Sequence, residues 1–213
     1  MIKTEILPYP EIEALNNPPK KLIVFIHGLG SDGNDLISLA ELMKRDLPDY
    51  HFISPHGVEQ FDMAPYGRQW FSLKDQSESV IKNLTLKNAE LLSNIITAKQ
   101  LELNLSNKDT IIIGFSQGTM IGLYLNLIQT EPFACVIGFS GKLIEPNKCV
   151  NKTTNICLIH GEVDDVINIE EMYNIEQYLS LQTIKYKSYK VPNLTHSINS
   201  FGIETAINFI KNN

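Results

Sequence analysis

Long apolar runs, arginine and paired cysteines are what this chain of 213 residues is short of. No purely apolar run is longer than LIVFI at residues 22–26. A bilayer span needs about 20 such residues, so no membrane-crossing segment is expected. Only Arg45 and Arg68 stand among 18 basic residues, which face 24 acidic ones for a formal charge of −6. The lysines are scattered, and without a basic footprint to neutralise phosphates, nucleic-acid binding is set aside. Cys135, Cys149 and Cys157 are odd in number and fit no C-x-x-C spacing, which argues against a disulfide framework or a zinc ribbon. Cys135 and Cys157 lie in apolar, strand-like stretches and read as buried reduced thiols. No metal-ligand spacing and no 20–50-residue repeat is found. The first 20 residues carry no apolar leader core, so a cytoplasmic protein is expected. What remains is ordinary globular composition, 43% apolar and 20% charged, and one domain over residues 1–213 is expected.

From Lys21 onward, short β-branched apolar runs alternate with longer stretches of helical period. The runs are 21–26, 51–54, 110–115, 134–140, 155–160 and 184–191. All but the last are nearly continuous in apolar residues, as expected of parallel strands covered on both faces. The last alternates and carries three lysines, which suits a sheet edge. Helices are expected at 36–46 behind Asn34 and Asp35 as caps, and at 80–104, 117–130, 169–181 and 199–211. Ile81, Leu84, Asn88, Leu91, Leu92, Ile95 and Ile96 would share one face of the long one. This alternation predicts an α/β fold with a mostly parallel central sheet and helices on both faces. Residues 1–20 and 55–79 fit neither period and read as irregular.

Gly114-Phe115-Ser116-Gln117-Gly118 is a G-x-S-x-G between a strand and a helix. In such a turn the serine hydroxyl projects, and the amide after it faces an oxyanion at the helix N-terminus. A hydroxyl needs a base, and the base an acid behind it. On hydrolase sheets of this kind the order is Ser, acid, His. Only His160 and His196 follow Ser116, and His160 precedes Asp164 and Asp165, so the order leaves His196. Asp164 is preferred to Asp165 as the acid; several glutamates also follow the serine. A third motif, His27-Gly28-Leu29-Gly30-Ser31-Asp32-Gly33, follows the first strand and could supply a second oxyanion amide. Its letters also spell the dinucleotide fingerprint G-x-G-x-x-G. That reading wants a helix opening at the glycines, whereas the apolar period begins only at Leu36. The 55–73 loop holds Phe61, Met63, Trp70 and Phe71, which either line an acyl site or pack the loop onto the sheet.

Together the pieces FIHGLGSDGNDL, SPHG, QWF, GFSQG, GFSG, HGEVDDVIN and THSI resemble the small α/β-hydrolase carboxylesterases of the acyl-protein thioesterase and lysophospholipase-like group. They stand in family order, and the resemblance covers the chain from about residue 22 to 210. The resemblance implies an α/β-hydrolase fold with Ser116 as nucleophile, Asp164 as orienting acid and His196 as base. It implies oxyanion amides at Leu29 and Gln117, no cofactor, and action on carboxylic esters, acyl thioesters of proteins or lysophospholipids. It also allows a homodimer. Two positions depart from the pattern: Thr119 replaces a second glycine after GFSQG, and Ser72 replaces an acidic residue after QWF. The competing reading is a non-catalytic protein that binds a ligand or partner in the same pocket.

Overall fold

The computed structural model describes residues 7–213. In chain order the elements are β1 (Glu11–Ile12), β2 (Lys21–Ile26), α1 (Gly33–Leu36), α2 (Ser38–Met43), β3 (Tyr50–Ile53), β4 (Glu59–Gln60), β5 (Arg68–Gln69) and α3 (Glu78–Leu103). A 3-10 turn (Asn107–Asp109) precedes β6 (Thr110–Phe115), and α4 (Gln117–Ile128), β7 (Cys135–Phe139), β8 (Asn155–Gly161), α5 (Glu170–Leu181), β9 (Tyr186–Val191) and α6 (Ser200–Lys211) follow. The main sheet runs β1-β3-β2-β6-β7-β8-β9. Every pairing in it is parallel except β1 with β3. The expected α/β architecture is found, with lysine-bearing β9 at one edge.

Side-chain alternation along the strands divides the core in two. Leu22, Val24 and Ile26 of β2 join a cluster with residues of α3, α4 and α5, among them Leu92, Ile96, Ile121, Leu125 and Ile175. Ile23 and Phe25 point the other way, into a second cluster with Leu36, Ala40 and Met43 of the α1–α2 region and Ile207 and Ile210 of α6. Cys135 and Cys157 belong to this second cluster. Burial pushes both thiols up to about 12, so they pack as protonated apolar groups.

Three local expectations change. The helix expected at 36–46 opens earlier, at Gly33, because the Asp32 carboxylate accepts the Asp35 amide at 3.0 Å and caps it. It then breaks at Ile37 into α1 and α2. With a helix opening at Gly33, the late apolar period no longer speaks against a dinucleotide. The hydrogen bonds do: Asp32 and His56 already take the Asp35 and Gly33 amides, and a carboxylate sits where a phosphate would have to bind. The first 20 residues contain β1, whose two residues are too few to show a period; residues 1–6 of that stretch lie outside the described residues. The 55–79 stretch contains the β4–β5 pair, which is equally short. No helix among the described residues is long and apolar enough to cross a membrane.

Candidate active site

The G-x-S-x-G turn joins β6 to α4 at the carboxyl edge of the sheet. A Cβ on Gly118 would collide with the Ile26 carbonyl oxygen, and one on Gly114 would lie 2.6 Å from the Gly118 backbone. The two glycines thus let α4 press against the ends of β6 and β2. Between them Ser116 is held at φ 54°, ψ −116°, a strained conformation that costs about 1–3 kcal/mol. Its amide is anchored to the Phe139 carbonyl at 2.9 Å, and its carbonyl accepts the Thr119 and Met120 amides. Thr119, the departure after GFSQG, also donates to the Phe139 carbonyl, at 2.7 Å. Its side chain fills the space that Cβ atoms on Gly138 and Gly141 would need, so the glycines of GFSG are matched to it.

Asp164 and His196 meet across two loops. His196 Nδ1 lies 2.8 Å from Asp164 Oδ2. Asp164 Oδ1 accepts the Val166 and Ile167 amides at 3.0 and 2.8 Å. Burial raises the Asp164 carboxyl pKa, but the His196 bond and the two amides outweigh it, leaving the group below its ordinary value. An ionised carboxylate can only accept, so Nδ1 carries a ring proton, and in the neutral imidazole the lone pair is then on Nε2. Asp165, the other candidate, is exposed. The His196 ring packs on Phe115, with centroids 4.8 Å apart, which sets the imidazole beside the residue preceding Ser116.

Leu29 is half-buried between Gly28 and Gly30, and Gln117 is the first residue of α4. A Cβ on Gly28 would come 3.1 Å from the Ser116 Cβ, so the glycine loop lies directly against the serine. His160, set aside as a base by chain order, is buried next to Asp164. Its Nε2 donates to the Ile167 carbonyl at 2.7 Å and stands 3.5 Å from Asp164 Oδ2. It therefore steadies the turn that holds the carboxylate. Only its HG spacing before Asp164 could have hinted at this.

The four residues suggested for an acyl site separate. Trp70 and Phe71 are completely buried and belong to the core; Trp70 Nε1 donates to the His27 carbonyl at 2.9 Å. They hold the loop down and present no surface to an acyl chain. Met63 is 84% exposed, and the Phe61 ring lies over Gly30, 3.2 Å from where a Cβ would sit. Ser72, the second departure, donates to Asp62 Oδ2, while Lys74 Nζ lies 2.8 Å from Asp62 Oδ1. Lys74 and then Ser72 hold the Asp62 carboxyl down to about 2. The acidic group at this loop thus comes from position 62. Trp70→Ala is expected to destabilise the fold by about 3–5 kcal/mol, read from the denaturant midpoint.

Comparison with known proteins agrees with this fold. Esterase YpfH of Escherichia coli is 26% identical over 204 residues, covering 94% of this chain and 86% of its own. Acyl-protein thioesterase 1 of Candida albicans is 29% identical over 226 residues, covering 94% and 95%. The crystal structure of esterase PE8 superposes with a TM-score of 0.91 at 29% identity, covering 98% of this chain and 99% of its own. The family described as Phospholipase/Carboxylesterase matches residues 7–213, and the chain belongs to that family as a hydrolase of ester bonds.

Proposed function

We propose that this ester hydrolase works through an acyl-Ser116 intermediate, with His196 as base and Asp164 as its orienting acid. The observation that carries the reading is the Asp164–His196 pair, bonded at 2.8 Å and packed on Phe115 next to a strained Ser116. In this mechanism His196 Nε2 takes the Ser116 hydroxyl proton as Oγ attacks the ester carbonyl carbon. The developing oxyanion faces the Leu29 and Gln117 amides. His196 returns the proton to the departing alcohol or thiol, leaving Ser116 acylated. Water then repeats the sequence, giving its proton to His196 and releasing the acid.

The named relatives include esterases and acyl-protein thioesterases, which supports ester or acylated-protein substrates. Three free cysteines fit a reducing compartment such as the cytoplasm. The test pairs a fluorophosphonate probe with p-nitrophenyl esters from C2 to C12. Stoichiometric labelling of Ser116 is expected, since only an activated serine reacts. Absence of labelling in folded protein would favour a non-catalytic binding role. Activity is expected to rise with acyl length until the chain passes Phe61 and Met63. Each fully buried methylene adds about 0.8 kcal/mol, or about fourfold. A flat series would remove Phe61 and Met63 as acyl-binding residues and leave the esterase.

A further inference from the structure

The Gln117 side chain does not point at solvent; the residue is 1% exposed. Its Oε1 accepts the Trp70 amide at 2.9 Å, and its Nε2 donates to the Phe71 carbonyl at 2.9 Å. The carboxamide thus pairs one backbone donor and one backbone acceptor of adjacent residues. The same segment grips the glycine loop. The Gly30 amide donates to the Arg68 carbonyl and the Arg68 amide to the Ser31 carbonyl, both at 2.8 Å. The Trp70 indole donates to the His27 carbonyl at 2.9 Å. Behind it, His27 Nδ1 donates to the Gly28 carbonyl at 2.7 Å and Nε2 accepts the Gly57 amide at 2.8 Å. Burial holds the ring neutral, its pKa pushed down to about 4. Residues 68–71 therefore hold Leu29 through both of its flanks and are themselves held by Gln117.

We infer that the Gln117 carboxamide is a positioning element, which sets the Leu29 amide relative to the Gln117 amide through residues 68–71. The inference rests on the serine-hydrolase reading above. Gln117 has the frame of α4 to fix its backbone, whereas the glycine loop has no helix or strand of its own at Leu29. Loss of the carboxamide leaves the Trp70 amide and Phe71 carbonyl unpaired in a buried place, so the segment must shift to satisfy them. The displacement then passes to Leu29.

Gln117→Met keeps the backbone amide and the side-chain length but removes both bonds. It is expected to lower kcat by about 10- to 100-fold, the scale of a 1 Å misplacement, with KM changed by less than about threefold. Affinity for a trifluoromethyl ketone, whose hemiketal oxygen occupies the same position as the oxyanion, should fall by the same factor as kcat/KM. Trp70→Phe removes the indole bond to His27 and some buried ring volume but leaves both bonds of the Gln117 carboxamide to the backbone, and should show a smaller loss in the same two readouts. It keeps the test open if Gln117→Met does not fold. A lowered melting temperature with kcat and ketone affinity within about twofold of the parent would overturn the inference, since Gln117 would then serve stability alone. Failure of the underlying reading looks different: the parent protein itself would escape fluorophosphonate labelling, or Ser116→Ala would still hydrolyse esters.

Discussion

Ser116→Ala is expected to lower kcat on a p-nitrophenyl ester by about 10⁶-fold, the scale seen when a triad nucleophile is removed. The hydroxyl is the atom that carries the acyl group in this mechanism, so no burst of p-nitrophenol should remain. Asp164 and His196 do not depend on the hydroxyl for their own bond, and the fold should persist. The strained φ of 54° at position 116 is imposed by the β6–α4 turn and its two glycines, so alanine inherits it. Adding His196→Ala should cost little more, because residues acting as one unit are not additive. A variant retaining about 1% of parent activity would place the chemistry elsewhere.

Asp164→Asn should lower kcat by about 10⁴-fold. The two faces of the carboxylate are already assigned. Oδ1 receives two backbone amides and Oδ2 meets His196. An introduced carboxamide must keep its oxygen toward the amides, which turns its NH₂ group toward Nδ1. Nδ1 then has to accept, the ring proton moves to Nε2, and the lone pair that would take the serine proton is lost. Steady-state kinetics across pH reads this directly. A loss smaller than about tenfold near neutral pH would show that the carboxylate does not set the tautomer.

The same residue gives a stability signature. The folded carboxyl ionises below its ordinary value, so its contribution is present above the unfolded pKa of about 3.9. It is lost as pH falls through the folded pKa. The stability gap between the parent and Asp164→Asn should therefore narrow in acid, as measured by denaturant unfolding at several pH values.

Much of the fold is legible in the chain itself. Strands buried on both faces must be apolar at nearly every position, and the runs at 21–26, 110–115 and 155–160 are so over most of their length. Helices α3 to α6 carry a period long enough to see, and their ends fall within about two residues of those expected. The illegible parts are short. Two-residue strands such as β1 and β5 show no period. Helix α1 opens ahead of its first large apolar residue because its cap is Asp32, which no apolar pattern marks. Trp70 and Phe71 read equally well as a binding surface or as packing, because loop aromatics carry no mark of which way they face.

What the sequence alone determined was the order of elements, the sheet class and a short set of chemically competent residues, because hydrophobic period and turn chemistry are local properties. The tertiary structure decided which aspartate meets His196, which aromatics are sealed in the core, and where the Gln117 carboxamide is used. Each of these depends on contacts between residues far apart along the chain. A contact at that range is set by how strands and loops close in space, and no short window of sequence contains both partners.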